Sequence, residues 1–111
     1  MTLGLRLAAL TAVLAATTPA RAEDLTTYQL TLKDHKFTPA EIHVPSGKPF
    51  LVNVTNHDDT AEEFDMPRPA VEKIIAAGSE GKVRIRPLAP GRFPFTGEQH
   101  ADTATGVFVS E

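Results

Sequence analysis

The stretch from Leu88 to His100 reads LAPGRFPFTGEQH, and it decides how the C-terminal part of the chain folds. Its Pro90-Gly91 pair predicts a turn, and Arg92–Thr96 has the composition of a β-strand. A polar loop begins at Gly97. Beyond that loop, Thr105–Ser110 predicts a closing strand whose valines share one face. The C-terminal end therefore predicts two strands joined by a polar loop.

The chain upstream repeats this pattern of short strands and turn residues. Pro49–Asn56 is the clearest strand, because every second residue from Phe50 to Val54 is apolar and shares one face. Val71–Ala76 fits a helical turn as well as a strand. The other predicted segments are strands at 27–32, 42–44, 64–66 and 82–87, a break at 37–39 and a polar loop at 57–62. Many short strands at this spacing favour an all-β sandwich or barrel.

The N-terminus has the pattern of a secretory signal peptide. Arg6 precedes a leucine- and alanine-rich run, and Ala20 and Ala22 provide the small residues of a cleavage site. The run is too short to span a bilayer comfortably, and an uncleaved membrane anchor is the alternative. We therefore expect a signal peptide over residues 1–22 and one domain over residues 23–111. The expected location is the periplasm, with no membrane span after cleavage.

The composition excludes several kinds of function. The chain has a formal net charge of −3, and the loss of two arginines with the signal makes the remainder more acidic. An acidic exported domain argues against nucleic acid and against anionic membrane surfaces as partners. The sequence has no cysteine, so disulfides and all thiolate chemistry are excluded. No motif typical of hydrolases or of phosphate-binding loops is present.

Two groups of motifs together resemble the cupredoxin family. In the N-terminal half they are Phe37-x-Pro39-x-x-Ile42-x-Val44-x-x-Gly47 and Val54-x-Asn56. In the C-terminal half they are Leu88-x-Pro90-Gly91-x-Phe93-x-Phe95, Gly97-Glu98-Gln99-His100, and Gly106 before the last strand. This resemblance implies an all-β, Greek-key β-sandwich of about seven or eight strands. It also implies that metal ligands gather at one end of the sandwich.

The same resemblance shows which ligands of a blue-copper site are missing. His100 occupies the position of the family's C-terminal histidine, but Gly97 stands where the cysteine belongs. The first histidine is replaced by the acidic pair Glu62-Glu63, and the axial methionine by residues near Asp102. A blue-copper centre needs a thiolate. The cofactor is therefore expected to be an iron or copper ion, but not a type 1 centre.

The candidate metal ligands that remain are His100, Glu98, Glu63, Glu62 and Met66. Strand alternation sends only one of Glu62 and Glu63 inward, and we favour Glu63 as the ligand. Met66 offers a soft axial donor, although a thioether beside Phe64 more often serves packing. Carboxylates with one imidazole suit iron, Cu(II) or Mn(II) better than Cu(I).

The remaining histidines are weaker candidates. His57 follows Asn56 in the polar loop and would lie close to the metal-binding end. His35 and His43 are interpreted as surface residues.

The motifs Glu62-Glu63-Phe64 and Gly97-Glu98-x-His100 point to one subgroup of cupredoxin-like proteins. They are similar to the small periplasmic cupredoxin-like components of bacterial iron-uptake systems. This implies binding or oxidation of iron, or binding of Cu(II), with an iron permease and a second periplasmic metal-binding protein as partners. The alternative is a module without metal that docks a partner protein through its acidic loop. Whether the chain is an enzyme is left open.

Overall fold

The fold was described from a computed structural model, which covers residues 24–111 and the isolated positions Gly4, Thr11 and Ala12. The signal peptide expected over residues 1–22 otherwise lies outside the described residues. Within the part described, no helix is both long and apolar enough to cross a membrane. The strands are β1 Thr27–Lys33, β2 Lys36–Thr38, β3 Glu41–Val44, β4 Phe50–Asn56, β5 Glu62–Pro67, β6 Ala70–Ile75, β7 Glu80–Ile85, β8 Gly91–Gly97 and β9 Thr105–Ser110. A short 3₁₀ helix, Glu98–His100, follows β8.

The strands form two sheets that pack face to face. One sheet has the order β2-β1-β4-β7, and the other has the order β3-β9-β8-β5-β6. The pairs β1–β4 and β3–β9 are parallel, while the other pairs are antiparallel. Parallel neighbours require the chain to cross between sheets before it returns, as in a Greek key. The expected all-β sandwich is confirmed, with nine strands among the described residues rather than seven or eight.

All six phenylalanines of the sequence are buried between the sheets. Phe95 lies at the centre, with its ring 4.7 Å from Phe108 and 5.4 Å from Phe64, measured between centroids. Strands β3 and β7 alternate buried apolar residues with exposed polar ones, as the sequence pattern predicted. With no disulfide available, this aromatic core and the sheet pairing hold the domain together.

Two segments differ from the sequence prediction. The predicted break at 37–39 contains strand β2, because Lys36–Thr38 pairs with the end of β1 across a tight turn. The strand ends only at Pro39, which has no N–H to donate. The ambiguous segment at 71–76 is strand β6, since Val71 and Ile74 pair with β5 in antiparallel register.

Candidate metal-binding pole

Four parts of the chain meet at one end of the sandwich, which we call the pole. They are the β1–β2 turn, the loop after β4, the first residues of β5, and the 3₁₀ helix after β8. The backbone N–H of His57 donates to the carbonyl of Leu32 at 2.8 Å, which joins the loop after β4 to the end of β1. The backbone N–H of Ala104 donates to the carbonyl of His100 at 2.8 Å and closes the loop that carries the helix.

Glu62 is a buried carboxylate at the centre of the pole. Its side chain is 2% exposed, and its Oε1 accepts hydrogen bonds from the backbone N–H of Gln99 at 2.8 Å and of Glu63 at 3.2 Å. The other oxygen, Oε2, accepts from Nδ1 of His100 at 2.6 Å. Three hydrogen-bond donors around one carboxylate offset the cost of burying it.

The bond from Glu62 determines how His100 is presented. An ionised carboxylate can only accept, so Nδ1 of His100 carries a proton and Nε2 is the nitrogen left to bind a metal. Histidines that bind metals commonly donate their second nitrogen to a carboxylate in this way, which fixes both tautomer and ring orientation. The His100 side chain is 27% exposed, so its ring is held yet reachable from solvent.

Gly97 lies directly against the Glu62 side chain. A Cβ built at Gly97 would lie 2.7 Å from Cδ of Glu62 and 2.9 Å from the Cβ of Ala104. The carboxylate of Glu62 therefore fills the space that a residue with a side chain would need at this position. A type 1 copper centre does not fit here, because the chain lacks the cysteine and the space for one.

Glu63 and Glu98 form a second acidic group beside the pole. Glu63 is partly buried and points to the opposite face of β5 from Glu62. A hydrogen bond between the side chains of Glu63 and Glu98 raises the pKa of Glu63, and burial and the charge of Glu98 raise it further. The negative charge of a neighbouring carboxylate disfavours the charged form of Glu63. The sequence preference for Glu63 as the inward residue was wrong, since Glu62 is the one that faces inward.

Met66 lies away from the pole. Its side chain is 1% exposed in the hydrophobic core. It follows Glu62 by four residues on the same strand, which places their Cα atoms about 13 Å apart. The structure therefore does not bring Met66 together with His100, and packing is the role that its position supports. His57 and Asp102 lie on exposed loops near the pole.

His35 is the residue at the pole that sequence reasoning missed. Its ring stacks on that of His100 with the centroids 3.5 Å apart and the planes 8° from parallel. The interpretation of His35 as an ordinary surface residue was therefore wrong. Only the pairing of β1 with β2 carries the Asp34-His35 turn to the pole, and nothing in the local sequence signals it.

Asp58 holds the turn that carries His35. Its carboxylate accepts from the backbone N–H of Asp34 at 2.7 Å and from that of His35 at 3.0 Å. Burial alone would raise the pKa of Asp58, but these two hydrogen bonds and the nearby imidazoles lower it below its ordinary value. Asp58 is placed in turn by the buried Asn56, whose side-chain oxygen accepts from the backbone N–H of Asp58 at 2.9 Å.

A cavity of about 350 Å³ opens beside these groups. Its lining includes Glu62, Glu63, Gln99 and His100, so the imidazole and a carboxylate face one space. Ile74, on the rim, is 70% exposed and is the one large apolar side chain so exposed in the described part of the chain. Within residues 24–111, no three histidine or acidic side chains are already arranged to hold a metal ion. A metal at the pole would thus have to draw the exposed carboxylates in.

A profile of the family described as "Cupredoxin-like domain" matches residues 6–109. The chain belongs to the cupredoxin-like family. This cupredoxin-like chain is also 36% identical, over 81 residues, to an uncharacterised protein of Rickettsia prowazekii (strain Madrid E). The match covers 73% of the present chain and 65% of the relative, so it spans just under two thirds of that protein.

Solved structures with the same fold include copper proteins. The metal-binding domain of the Cu(I)-exporting P-type ATPase CopA of Streptococcus pneumoniae D39 superposes with a TM-score of 0.68 at 16% identity, over 82% of this cupredoxin-like chain and 91% of that one. Auracyanin A, a blue copper protein of Chloroflexus aurantiacus, superposes with a TM-score of 0.68 at 11% identity, over 78% of this chain and 98% of that one. A copper-binding protein in its apo form superposes with a TM-score of 0.69 at 18% identity, over 82% of this chain and 92% of that one. At these identities, the likeness shows the fold alone.

Proposed function

We propose that this chain is a periplasmic metal-binding protein that holds Cu(II) or iron at the pole through Nε2 of His100. The observation that carries the proposal is the 2.6 Å hydrogen bond from Nδ1 of His100 to the buried carboxylate of Glu62. That bond leaves Nε2 as the nitrogen that can bind a metal. An imidazole held in one orientation beside an open cavity is a prepared metal ligand.

Glu63 and Glu98 would supply the oxygen ligands. The side-chain hydrogen bond and the negative charge of Glu98 raise the pKa of Glu63, and a cation that enters there would offset the repulsion between the two acidic groups. Glu63 lines the same cavity as His100. Glu62 would orient His100 rather than bind the metal itself, because both of its oxygens already accept hydrogen bonds. Imidazole with carboxylates is a donor set suited to Cu(II) and iron.

We place this metal site in bacterial iron uptake, as a carrier of iron or a participant in its oxidation. The support is the pairing of Glu62-Glu63-Phe64 with Gly97-Glu98-x-His100, which resembles the periplasmic components of such systems. The partners would then be an iron permease and a second periplasmic metal-binding protein. The signal peptide pattern over residues 1–22 supports export to the compartment where those partners work.

Metal titration of the exported, metal-free protein tests the proposal. Calorimetry with Cu(II), and with Fe(II) under anaerobic conditions, should show one site per chain for at least one of these ions. His100→Ala should weaken that binding at least tenfold, and Glu63→Gln with Glu98→Gln should weaken it less. His43→Ala is the matched control, because it removes an exposed histidine at 2.6 Å from Glu111 rather than at the pole. Equal affinity of the wild type and His100→Ala would overturn the proposal.

A second candidate is a module that docks a partner protein without metal. It is favoured by the exposed Ile74 beside Glu63, an apolar side chain at an acidic rim. It is also favoured by the lack, in the described region, of three metal-ligating side chains already in place. If neither Cu(II) nor Fe(II) binds the wild type in the titration above, this candidate replaces the first.

A further inference from the structure

The turn between β1 and β2 carries a histidine where its backbone favours glycine. Lys33 pairs with Lys36, so Asp34 and His35 form a two-residue hairpin turn. Their φ angles are 52° and 57°, both in the left-handed region. Such turns strongly favour Asn-Gly or Asp-Gly, because glycine adopts this conformation without steric cost. His35 stands where glycine would be the favoured residue.

The surrounding structure holds His35 in this conformation. Both oxygens of Asp58 are engaged, one by the N–H of Asp34 and the other by the N–H of His35. Asp58 is 23 residues away from His35 in sequence, so this support comes from the tertiary fold rather than from the turn. A residue that is held in a sparsely populated conformation by such support is a candidate for function.

The conformation places the imidazole of His35 on that of His100, with the centroids 3.5 Å apart. Glu62 fixes His100 from one edge of its ring, and His35 covers one face. The pole therefore presents two imidazoles from two separate elements of the fold, where the sequence motifs indicated only one.

We infer that His35 is a second imidazole ligand of the metal held by His100. This inference rests on the proposed function, since it concerns the same metal ion. An imidazole binds a metal in the plane of its own ring, so two parallel stacked rings do not face one ion as they stand. His35 is partly exposed, and coordination of one ion by both rings requires its ring to rotate about the side-chain torsions. The stacked arrangement is then the metal-free state of the pair.

Replacement of His35 by glycine separates this role from a structural one. Glycine suits the left-handed turn, so His35→Gly should keep or raise the melting temperature of the metal-free protein. It should nevertheless weaken Cu(II) binding at least tenfold. Pulsed EPR detects the remote nitrogen of each coordinated imidazole. The number of imidazoles it detects should fall from two in the wild type to one in His35→Gly. His35→Asn, which also tolerates the left-handed region, should lose the same nitrogen, and His43→Ala should lose none.

The outcomes separate the two proposals. If the wild type binds Cu(II) through His100, while His35→Gly and His35→Asn retain full affinity and the same nitrogen count, the role of His35 is overturned and the metal site stands. If the wild type binds neither Cu(II) nor iron, the proposed function fails and the ligand role of His35 fails with it. Loss of one imidazole signal in both His35 variants, with the fold intact, supports the inference.

Discussion

The side chain of Glu62 occupies the space that any side chain at position 97 would need. A Cβ at Gly97 would lie 2.7 Å from the Glu62 carboxyl carbon, well inside van der Waals contact. In the cupredoxin resemblance, these are the positions of the first histidine region and of the cysteine. With Glu62 in this position, residue 97 cannot carry a side chain unless the carboxylate moves.

Gly97→Ala should destabilise the domain by about 1–3 kcal/mol, because the new methyl group overlaps Glu62 and Ala104. Urea unfolding measures this change. The double variant Glu62→Ala with Gly97→Ala should be less destabilised than the sum of the single changes by at least about 0.5 kcal/mol, since removal of the carboxylate frees space. Ala101→Ser, at an exposed position of the same loop, is the control and should combine additively with Glu62→Ala. If the destabilisation of the double variant equals the sum for Glu62→Ala and Gly97→Ala, the steric overlap between the two positions is contradicted.

Glu62→Gln should reverse the tautomer of His100. The backbone N–H groups of Gln99 and Glu63 require an acceptor, which fixes the amide oxygen of the new side chain on their side. The NH₂ group then faces His100, so Nδ1 must accept and Nε2 must carry the proton. Long-range ¹H–¹⁵N NMR spectra of the imidazoles report this exchange directly. Glu63→Gln should leave the tautomer unchanged, and an unchanged tautomer in Glu62→Gln would show that Glu62 does not set it.

Asp58→Asn should destabilise the domain by about 1–2 kcal/mol near neutral pH, because one of the two turn N–H groups loses its acceptor. The pKa of Asp58 in the folded state lies below the ordinary 3.8, so its stabilisation is present above that pH and is lost as the pH falls through the folded value. The difference in the free energy of unfolding between the wild type and Asp58→Asn should become smaller as the pH falls. Unfolding curves at several pH values test this, with the neighbouring exposed Asp59→Asn as control.

His43, on β3, should titrate above pH 6.5. Its hydrogen bond with Glu111, at 2.6 Å, raises the pKa of His43 more than its slight burial lowers it, and Glu41 adds to the effect. The resulting stabilisation is present below pH 6.5 and is lost as the pH rises through the folded pKa. NMR titration should show a larger decrease of this pKa in Glu111→Gln than in Glu41→Gln, whose contact is 3.5 Å. The reverse order would contradict the assignment.

The frame of the fold could be predicted from sequence, but the inner arrangement of the pole could not. Alternation in Pro49–Asn56 and Thr105–Ser110 fixed the strands, because a half-buried strand leaves a two-residue pattern. Glu62 and Glu63 gave no such signal, since two adjacent acids fit either phase of β5. The inward position of Glu62 follows from its contact with His100, which is 38 residues away.

The position of His35 could not be predicted from the sequence either. Its conformation depends on Asp58, and its position depends on the pairing of β1 with β2. Neither contact leaves a pattern in the residues around His35. Tertiary contacts of this kind become visible only when the chain is folded.

A crystal structure of the exported protein soaked with Cu(II), with an anomalous difference map at the copper edge, tests the central claim most directly. The account predicts a copper peak within bonding distance of Nε2 of His100, with Nδ1 still hydrogen-bonded to Glu62. A peak on Nδ1 with Glu62 displaced, a peak only at distant residues such as His43, or no ordered copper at all would contradict it.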